Sequence, residues 1–283
     1  MKILSFDIED WFHIFDPSFN GKVEKWGKLP SQVEAETDWI LSFLEKNEVK
    51  ATFFCLGWVA EKNPQLIKRI AKNGHGLAAH SYLHRKVGEL TEKEFYDDTS
   101  RSIKILEDIT GNKVTAFRAP GFSFNNNTKW AFEILGQLGI TEDSSLKSGF
   151  HFGNKTIPDE PFIIHGDGFS IKEFPTRTHS FFGKKIIYSG SGYFRIFPYQ
   201  FVKNRFRASG YEMSYFHPRD FDSLIHTFYK GHPILQLRYR LGTNSSKKKI
   251  SQLVQDFQFI TLEEAGKLVD WVHAPKLETD GKG

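Results

Sequence analysis

Apolar and polar positions along the first half of this chain fall into blocks that predict strand, helix, strand, helix. Lys2 to Phe6 is a short apolar strand that runs into acids. Ser31-Gln32-Val33-Glu34 has the form of a capping box and predicts a helix to about Asn47. Ala51 to Leu56, rich in Phe, predicts a buried strand. A helix from about Pro64 to Asn73 stops at Gly74, and Leu77 to Ala79 is a short strand that delivers His80. Thr91-Glu92-Lys93-Glu94 is a second capping box, opening a helix that ends at Gly111. Val114 to Phe117 leads into Arg118, Asn127 to Leu138 is helical up to Gly139, and Ile140-Thr141 lead to Asp143. Residues 147–193 are irregular and glycine-rich and predict loops and hairpins. Beyond them lie a helix at about Pro198 to Ala208, a strand at about Tyr211 to Phe216, and helices at about Ser246 to Phe257 and Thr261 to Trp271. The last helix has its own capping box, Thr261-Leu262-Glu263-Glu264, and no internal repeat or low-complexity segment is apparent.

This βαβα order predicts an α/β protein, a parallel sheet or barrel with helices outside. Asp7, His80, Arg118 and Asp143 all follow predicted strands. Sites in parallel α/β architectures gather at the strands' C-terminal ends, so the shared placement carries more weight than any one motif.

With 283 residues and 39% apolar content, one domain of barrel size is expected, two smaller domains being the alternative. Aromatics at 15%, with 28 Phe, must largely fill the core, and a sugar-binding or interfacial surface could use the excess. The net charge of +4, from 38 basic and 34 acidic residues, is too balanced for a nucleic-acid partner. The one compact basic run, Lys247-Lys248-Lys249, reads as a solvated loop or helix start, with contact to anionic headgroups or a phosphorylated substrate as the lesser alternative. The lone Cys55 sits in an apolar run, so it is expected to be a buried structural thiol, and no disulfide can form within the chain. The opening residues turn acidic too soon for a signal peptide and no stretch has the length of a membrane span; the expected setting is cytoplasmic, with peripheral membrane contact at most. Residues 276–283 are expected to form a disordered tail.

The candidate chemistry centres on His80-Ser81-Tyr82-Leu83-His84. On a helical turn this spacing puts both imidazoles on one face, within reach of one metal ion, although two histidines so spaced, taken alone, are more often surface residues. A carboxylate from Glu9 or Asp10 would complete a three-ligand set. Asp7, Glu9 and Asp10 repel one another unless a cation sits among them, and a metal together with Arg118 would supply it. In Arg118-Ala119-Pro120-Gly121, Pro120 fixes the backbone and Gly121 permits close approach of a ligand, so an N–H there could face an oxyanion; a plain turn is the even alternative. His217, ending Tyr215-Phe216-His217, could serve as a general acid, and Asp143 could hold that imidazole in one tautomer; a half-buried histidine and a turn cap are the plainer readings. His13 lies close to the acids and could line the cleft.

Taken in order, Ser5-Phe6-Asp7, His80 to His84, Phe117-Arg118-Ala119-Pro120-Gly121, Asp143-Ser144-Ser145 and Tyr215-Phe216-His217-Pro218 resemble the five motifs of the polysaccharide deacetylases, the NodB-homology enzymes of carbohydrate esterase family 4. Gly192-Tyr193-Phe194-Arg195 and Asp256-Phe257-Gln258-Phe259 resemble the bacterial subgroup found with exopolysaccharide loci, so the likeness runs from about residue 1 to 265 of a single catalytic domain spanning 1–275. The resemblance implies a distorted, seven-stranded (β/α) barrel. It implies a divalent metal, most commonly zinc, on one acid and the two histidines, with Asp7 as base, His217 as acid, and Arg118 and Asp143 as supports. Two departures stand out. The family's adjacent aspartates are here spread as Asp7-Ile8-Glu9-Asp10: residue type favours Asp10 as ligand, strand alternation favours Glu9, and both remain open. Gly121 stands where many relatives carry Tyr, which removes a ring from the sugar site.

The implied reaction is hydrolysis of an N-acetyl group on a hexosamine unit of a glycan or sugar intermediate of surface polysaccharide synthesis. Asp7 takes a proton from metal-activated water, Gly121 N–H meets the oxyanion, and His217 protonates the departing amine. Trp11, Phe12, Phe122 and Tyr193 are candidates to stack on sugar rings, with core packing the alternative for at least half of them. Two other functions fit the same residues: a metal-independent amidohydrolase acting on a cyclic ureide or imide, and a non-catalytic carbohydrate-binding protein.

Overall fold

Strand β1 (Lys2–Ile8) is buried along all but its first residue, the pattern of a strand covered on both faces of a parallel sheet. The computed structural model describes residues 1–19 and 22–279. After β1 come α1 (Val23–Trp26), α2 (Val33–Lys46), β2 (Thr52–Cys55), α3 (Gly57–Lys62), α4 (Pro64–Lys72), β3 (Gly76–Ala79), α5 (Glu92–Thr110), β4 (Ala116–Phe117), α6 (Trp130–Gln137) and β5 (Glu142–Asp143). Then follow β6 (His151–Phe152), β7 (Lys155–Thr156), β8 (Phe162–Gly166), β9 (Phe169–Glu173), β10 (His179–Phe181), β11 (Lys184–Ile186), α7 (Ser191–Ile196), α8 (Tyr199–Ala208) and β12 (Glu212–Phe216). The chain finishes with α9 (Pro233–Arg240), α10 (Thr243–Asp256), α11 (Leu262–Leu268) and β13 (Lys276–Glu278).

One sheet runs β12-β1-β2-β3-β4-β5-β9-β8-β13. Its first seven members in that order are mutually parallel, β8 then pairs antiparallel to β9, and β13 lies parallel to β8. The seven parallel strands match the expected barrel wall. The two extra strands lengthen it, and both halves of the chain contribute to it. β8 and β9 come from the stretch expected to hold loops and hairpins and form such a hairpin across the two-residue Asp167-Gly168 connection, here joined to the main sheet. Residues 276–278, expected in a disordered tail, are instead β13, with Leu277 buried against the sheet; residues 280–283 lie outside those described.

Identical capping signatures had different outcomes. Thr91 caps α5 through Glu94, and Gly111 ends that helix in the left-handed conformation, as their types predict. Ser31 does not cap α2: its hydroxyl donates to Asp10 Oδ2, and Asp10 Oδ1 accepts from the Gln32 N–H at 3.1 Å. A carboxylate from another part of the chain therefore does the capping. Cys55 is buried, and no described helix is long and apolar enough to cross a membrane.

Candidate active site

Glu9 leaves the end of β1 and His80 leaves the end of β3, two strands apart in the sheet. The His80–His84 segment is not the helical turn its spacing suggested. It is a loop in which Ser81 (φ 62°) and His84 (φ 53°) both adopt the left-handed conformation, uncommon for residues other than glycine. Asp98 of α5 holds it there, accepting from the Tyr82 and Leu83 N–H groups, while Ser81 Oγ accepts from His84 N at 3.1 Å. The result brings His80 Nε2 to 3.1 Å and His84 Nε2 to 2.8 Å from the same oxygen, Glu9 Oε1, with all three side chains buried.

These three residues fit a metal ion on chemical grounds. His80 Nδ1 lies 2.8 Å from the Arg118 carbonyl, which can only accept, so Nδ1 carries a proton and a neutral ring would present its Nε2 lone pair to Glu9 Oε1. Burial, opposed by Glu9, pushes the His84 pKa down, which favours the neutral ring, and its buried Nε2 has Glu9 Oε1 as its near polar neighbour. Burial works against ionisation of Glu9, yet His84 and Arg219 beside it outweigh burial and hold the carboxyl well below the usual range. An ionised carboxylate oxygen facing imidazole lone pairs is repulsive unless a cation lies among them.

Asp7 is the last polar residue of β1. The fully buried Arg118, at the end of β4, reaches across to it with Nη1 2.6 Å from Asp7 Oδ1, and anchors its other nitrogens on the Ser144 carbonyl and hydroxyl at 3.1 Å each. Asp7 Oδ2 is left turned toward His217 Nε2, 4.0 Å away. His217 follows β12 and sits 3.6 Å from Glu9 Oε1. Its Nδ1 lies 3.2 Å from Asp220 Oδ2, whose same oxygen accepts from the His217 N–H at 2.9 Å. Burial alone would raise the Asp220 pKa; the bond to His217 and the charges of Arg195 and Arg219 lower it instead.

Three buried carboxylates around the site, Asp7, Glu9 and Asp220, therefore each have a buried guanidinium beside them. Arg118 serves Asp7, Arg219 Nη1 lies 2.8 Å from Glu9 Oε2, and Arg195 Nε lies 3.4 Å from Asp220 Oδ1. The sequence marked Arg195 only as part of a subgroup motif, with no role at the site, and did not single out Arg219 or Asp220. Arg219 and Asp220 follow His217 directly in a short 3₁₀ turn, Pro218–Phe221, so adjacency to the strand-end histidine was the available signal.

Two sequence candidates are placed elsewhere. Asp10 is turned away from the histidines and spends its oxygens on Ser31, the Trp11 N–H and the start of α2. Asp143 does not hold His217; its oxygens bond Ser145 N (2.9 Å) and Oγ (2.7 Å), and Ser145 Oγ in turn accepts from the Ala119 N–H at 2.7 Å. Asp143 thus supports the Arg118–Gly121 turn from behind, beside Glu173, whose pKa burial and the Asp143 charge push well up. Pro120 is buried in that turn. Gly121 (φ 63°) lines the cleft, where an added Cβ would come 2.6 Å from Phe15 Cε2. Phe15 stacks on His84 with ring centroids 4.7 Å apart, so a ring from the loop after β1 occupies the place beside Gly121.

The cleft has a volume of about 300 Å³ and is lined by Asp7, Glu9, His84, Gly121 and His217, with Tyr215 and Arg219 beside them. His13 lines it too, and burial holds that imidazole well below its ordinary pKa. Of the four aromatic candidates, Phe122 lines the cleft, Trp11 and Phe12 are core, and Tyr193 is exposed.

Residues 27–141 match the family model described as polysaccharide deacetylase, and residues 144–267 match one described as a domain of unknown function, DUF3473. A peptidoglycan-N-acetylglucosamine deacetylase of Bacillus cereus is 39% identical over 95 residues, 33% of this chain and 34% of that protein. The chain thus spans about a third of that curated relative. The fold is that of a crystal structure from Mycobacterium smegmatis assigned to the polysaccharide deacetylases, with a TM-score of 0.65 at 19% identity over 100% of this chain and 94% of that one. A CE4 family pseudoenzyme from Bacillus anthracis is also similar, with a TM-score of 0.52 at 16% identity over 98% of this chain and 69% of that one, so fold alone does not decide turnover. Residues 27–141 therefore carry a polysaccharide deacetylase domain, and the whole chain shares the fold of the Mycobacterium smegmatis structure.

Proposed function

We propose that this chain is a metal-dependent hydrolase that removes an N-acetyl group from a hexosamine unit of a bacterial surface glycan or its precursor. The observation that carries the reading is the convergence of Glu9, His80 and His84 beside an Asp7–Arg118 pair and a His217–Asp220 pair in one cleft. A divalent ion, zinc being the best match to two imidazoles and a carboxylate, would be held by Glu9, His80 and His84 and would supply carbonyl polarisation and an acidified water.

The chain's own groups perform the proton transfers. Arg118 binds Asp7 Oδ1, so the other oxygen is the one presented to an attacking water as base. Asp220 fixes His217 with Nδ1 toward itself, which leaves Nε2 facing the cleft to protonate the departing nitrogen. Such a positioned donor contributes about 10²–10⁴-fold. The Gly121 N–H stands at the turn that Asp143 and Ser145 brace, where it can meet the developing oxyanion.

The test is elemental analysis together with an acetate-release screen on N-acetylhexosamine oligomers, using wild type and His84→Ala. About one divalent ion per chain is expected in the wild type, with metal and turnover both lost in the variant. Activity that survives chelation would favour the metal-independent amidohydrolase; glycan affinity without acetate release would favour a binding protein.

A further inference from the structure

Residues 174–255 contain 14 Lys and Arg against three Asp and Glu, whereas the whole chain has 38 against 34. Two of those three acids, Glu212 and Asp220, are buried. The same stretch also holds most of the chain's exposed large apolar side chains. Phe181 and Phe182 cap the β10–β11 hairpin, Phe182 being 93% exposed and followed by Gly183 and the exposed Lys184. Tyr193 and Ile196 stand out from α7. On α9, Ile234 (82% exposed), Leu237 and Leu241 recur at the spacing of one helical face, with Arg238 and Arg240 exposed beside them.

These three elements form one rim. Phe181 packs on Phe197 at 5.5 Å, Phe197 stacks on Tyr193, and Arg195 of α7 donates to the Tyr239 carbonyl of α9 at 3.3 Å. The rim borders the cleft, because Ile187, Ser191, Leu235 and Arg238 line it. Apolar side chains exposed singly are ordinary, but an aromatic hairpin tip and an apolar helix face, both set among cations at the mouth of one cleft, are not.

We propose that this rim docks on the surface of an anionic lipid bilayer, with the hairpin tip and the outer face of α9 entering the headgroup layer and the cations meeting the lipid charge. Charge complementarity selects the bilayer over a second copy of the chain, since two such basic rims repel each other. The proposal rests on the deacetylase reading for one step only: it places the acetylated sugar on a carrier held at that surface.

The experiment is flotation of the full chain with vesicles of phosphatidylglycerol and phosphatidylcholine, against phosphatidylcholine alone, at low and high salt. Binding to the anionic vesicles is expected, weakened by salt and about fivefold by each basic residue removed, the equivalent of about 1 kcal/mol apiece. Lys184→Glu/Arg240→Glu should lower binding by more than tenfold, and so should Phe182→Ser/Leu237→Ser, each with an unchanged circular dichroism spectrum. No binding to anionic vesicles overturns the proposal. So does binding that responds to charge reversal but not to the apolar pair, which would identify a soluble anionic polymer as occupant. A dimer in light scattering that the apolar pair dissociates overturns it in favour of self-association. Flotation needs no turnover, so acetate release without vesicle binding defeats only this proposal, and vesicle binding without acetate release defeats only the deacetylase reading.

Discussion

Arg219 Nη1 lies 2.8 Å from Glu9 Oε2, on the side of the carboxylate away from His80 and His84. The guanidinium fixes one oxygen and leaves the other to the imidazoles. A carboxylate ligand oriented by such a partner loses metal affinity when the partner is removed, typically by about 10–100-fold. Arg219→Met should therefore bind zinc about 10–100-fold more weakly in a competitive titration with a chromophoric chelator. Arg219→Lys should recover part of the loss, because the charge returns without the planar fork. Affinity equal to wild type in Arg219→Met would remove Arg219 from the account of the site.

Asp220 makes two contacts with His217, one to the ring and one to the backbone, and Arg195 holds its other oxygen. Asp220→Asn keeps the shape and removes the charge. It should lower kcat by about 10²-fold or more while leaving KM within a few-fold, since the imidazole is addressed and the sugar is not. A pure KM effect with kcat unchanged would make Asp220 a structural cap only.

Asp7, His80, Arg118 and His217 were legible because each closes a strand, and a strand end is a local pattern of apolar and polar letters. The choice between Glu9 and Asp10 was not. Both are carboxylates in the same acidic turn, and what separates them is Ser31 and the start of α2, more than twenty residues further on. Asp143 misled for the same reason: its strand-end position was read correctly, but its partners Ser145 and Glu173 sit behind the turn, and Glu173 comes from β9, a strand hidden in a glycine-rich stretch. Arg195 reaches the site from α7, which has no periodic signal over six residues.

Gly121 and Phe15 occupy adjoining space in the cleft, and the glycine also has φ 63°. A methyl group there meets the ring at 2.6 Å and a backbone conformation that L side chains disfavour. Gly121→Ala should cut kcat/KM by at least tenfold through displacement of Phe15 and the turn. Adding Phe15→Ala should return a measurable part of that loss, the steric share, while the backbone share persists. Phe15→Ala alone should raise KM more than it lowers kcat, as expected for a ring that lines the sugar site without handling a proton. Equal activity of Gly121→Ala and wild type on N-acetylhexosamine oligomers would show that neither contact matters.

Glu36, on α2, has both carboxyl oxygens buried without a hydrogen-bond partner among the described residues. Burial, reinforced by the charges of Asp10 and Asp222 against that of Arg219, pushes its pKa up to about 8. A carboxyl raised in the fold adds nothing unfavourable below its unfolded value near 4.5, where both states hold the proton. As pH rises from there toward about 8, the unfolded chain ionises first and stability is lost progressively. Glu36→Gln cannot ionise, so it should match wild type in urea unfolding at pH 4 to within about 0.5 kcal/mol and exceed it by about 3–5 kcal/mol at pH 8.5. A constant difference between the two proteins across that range would mean that Glu36 is ionised and solvated in the fold at neutral pH.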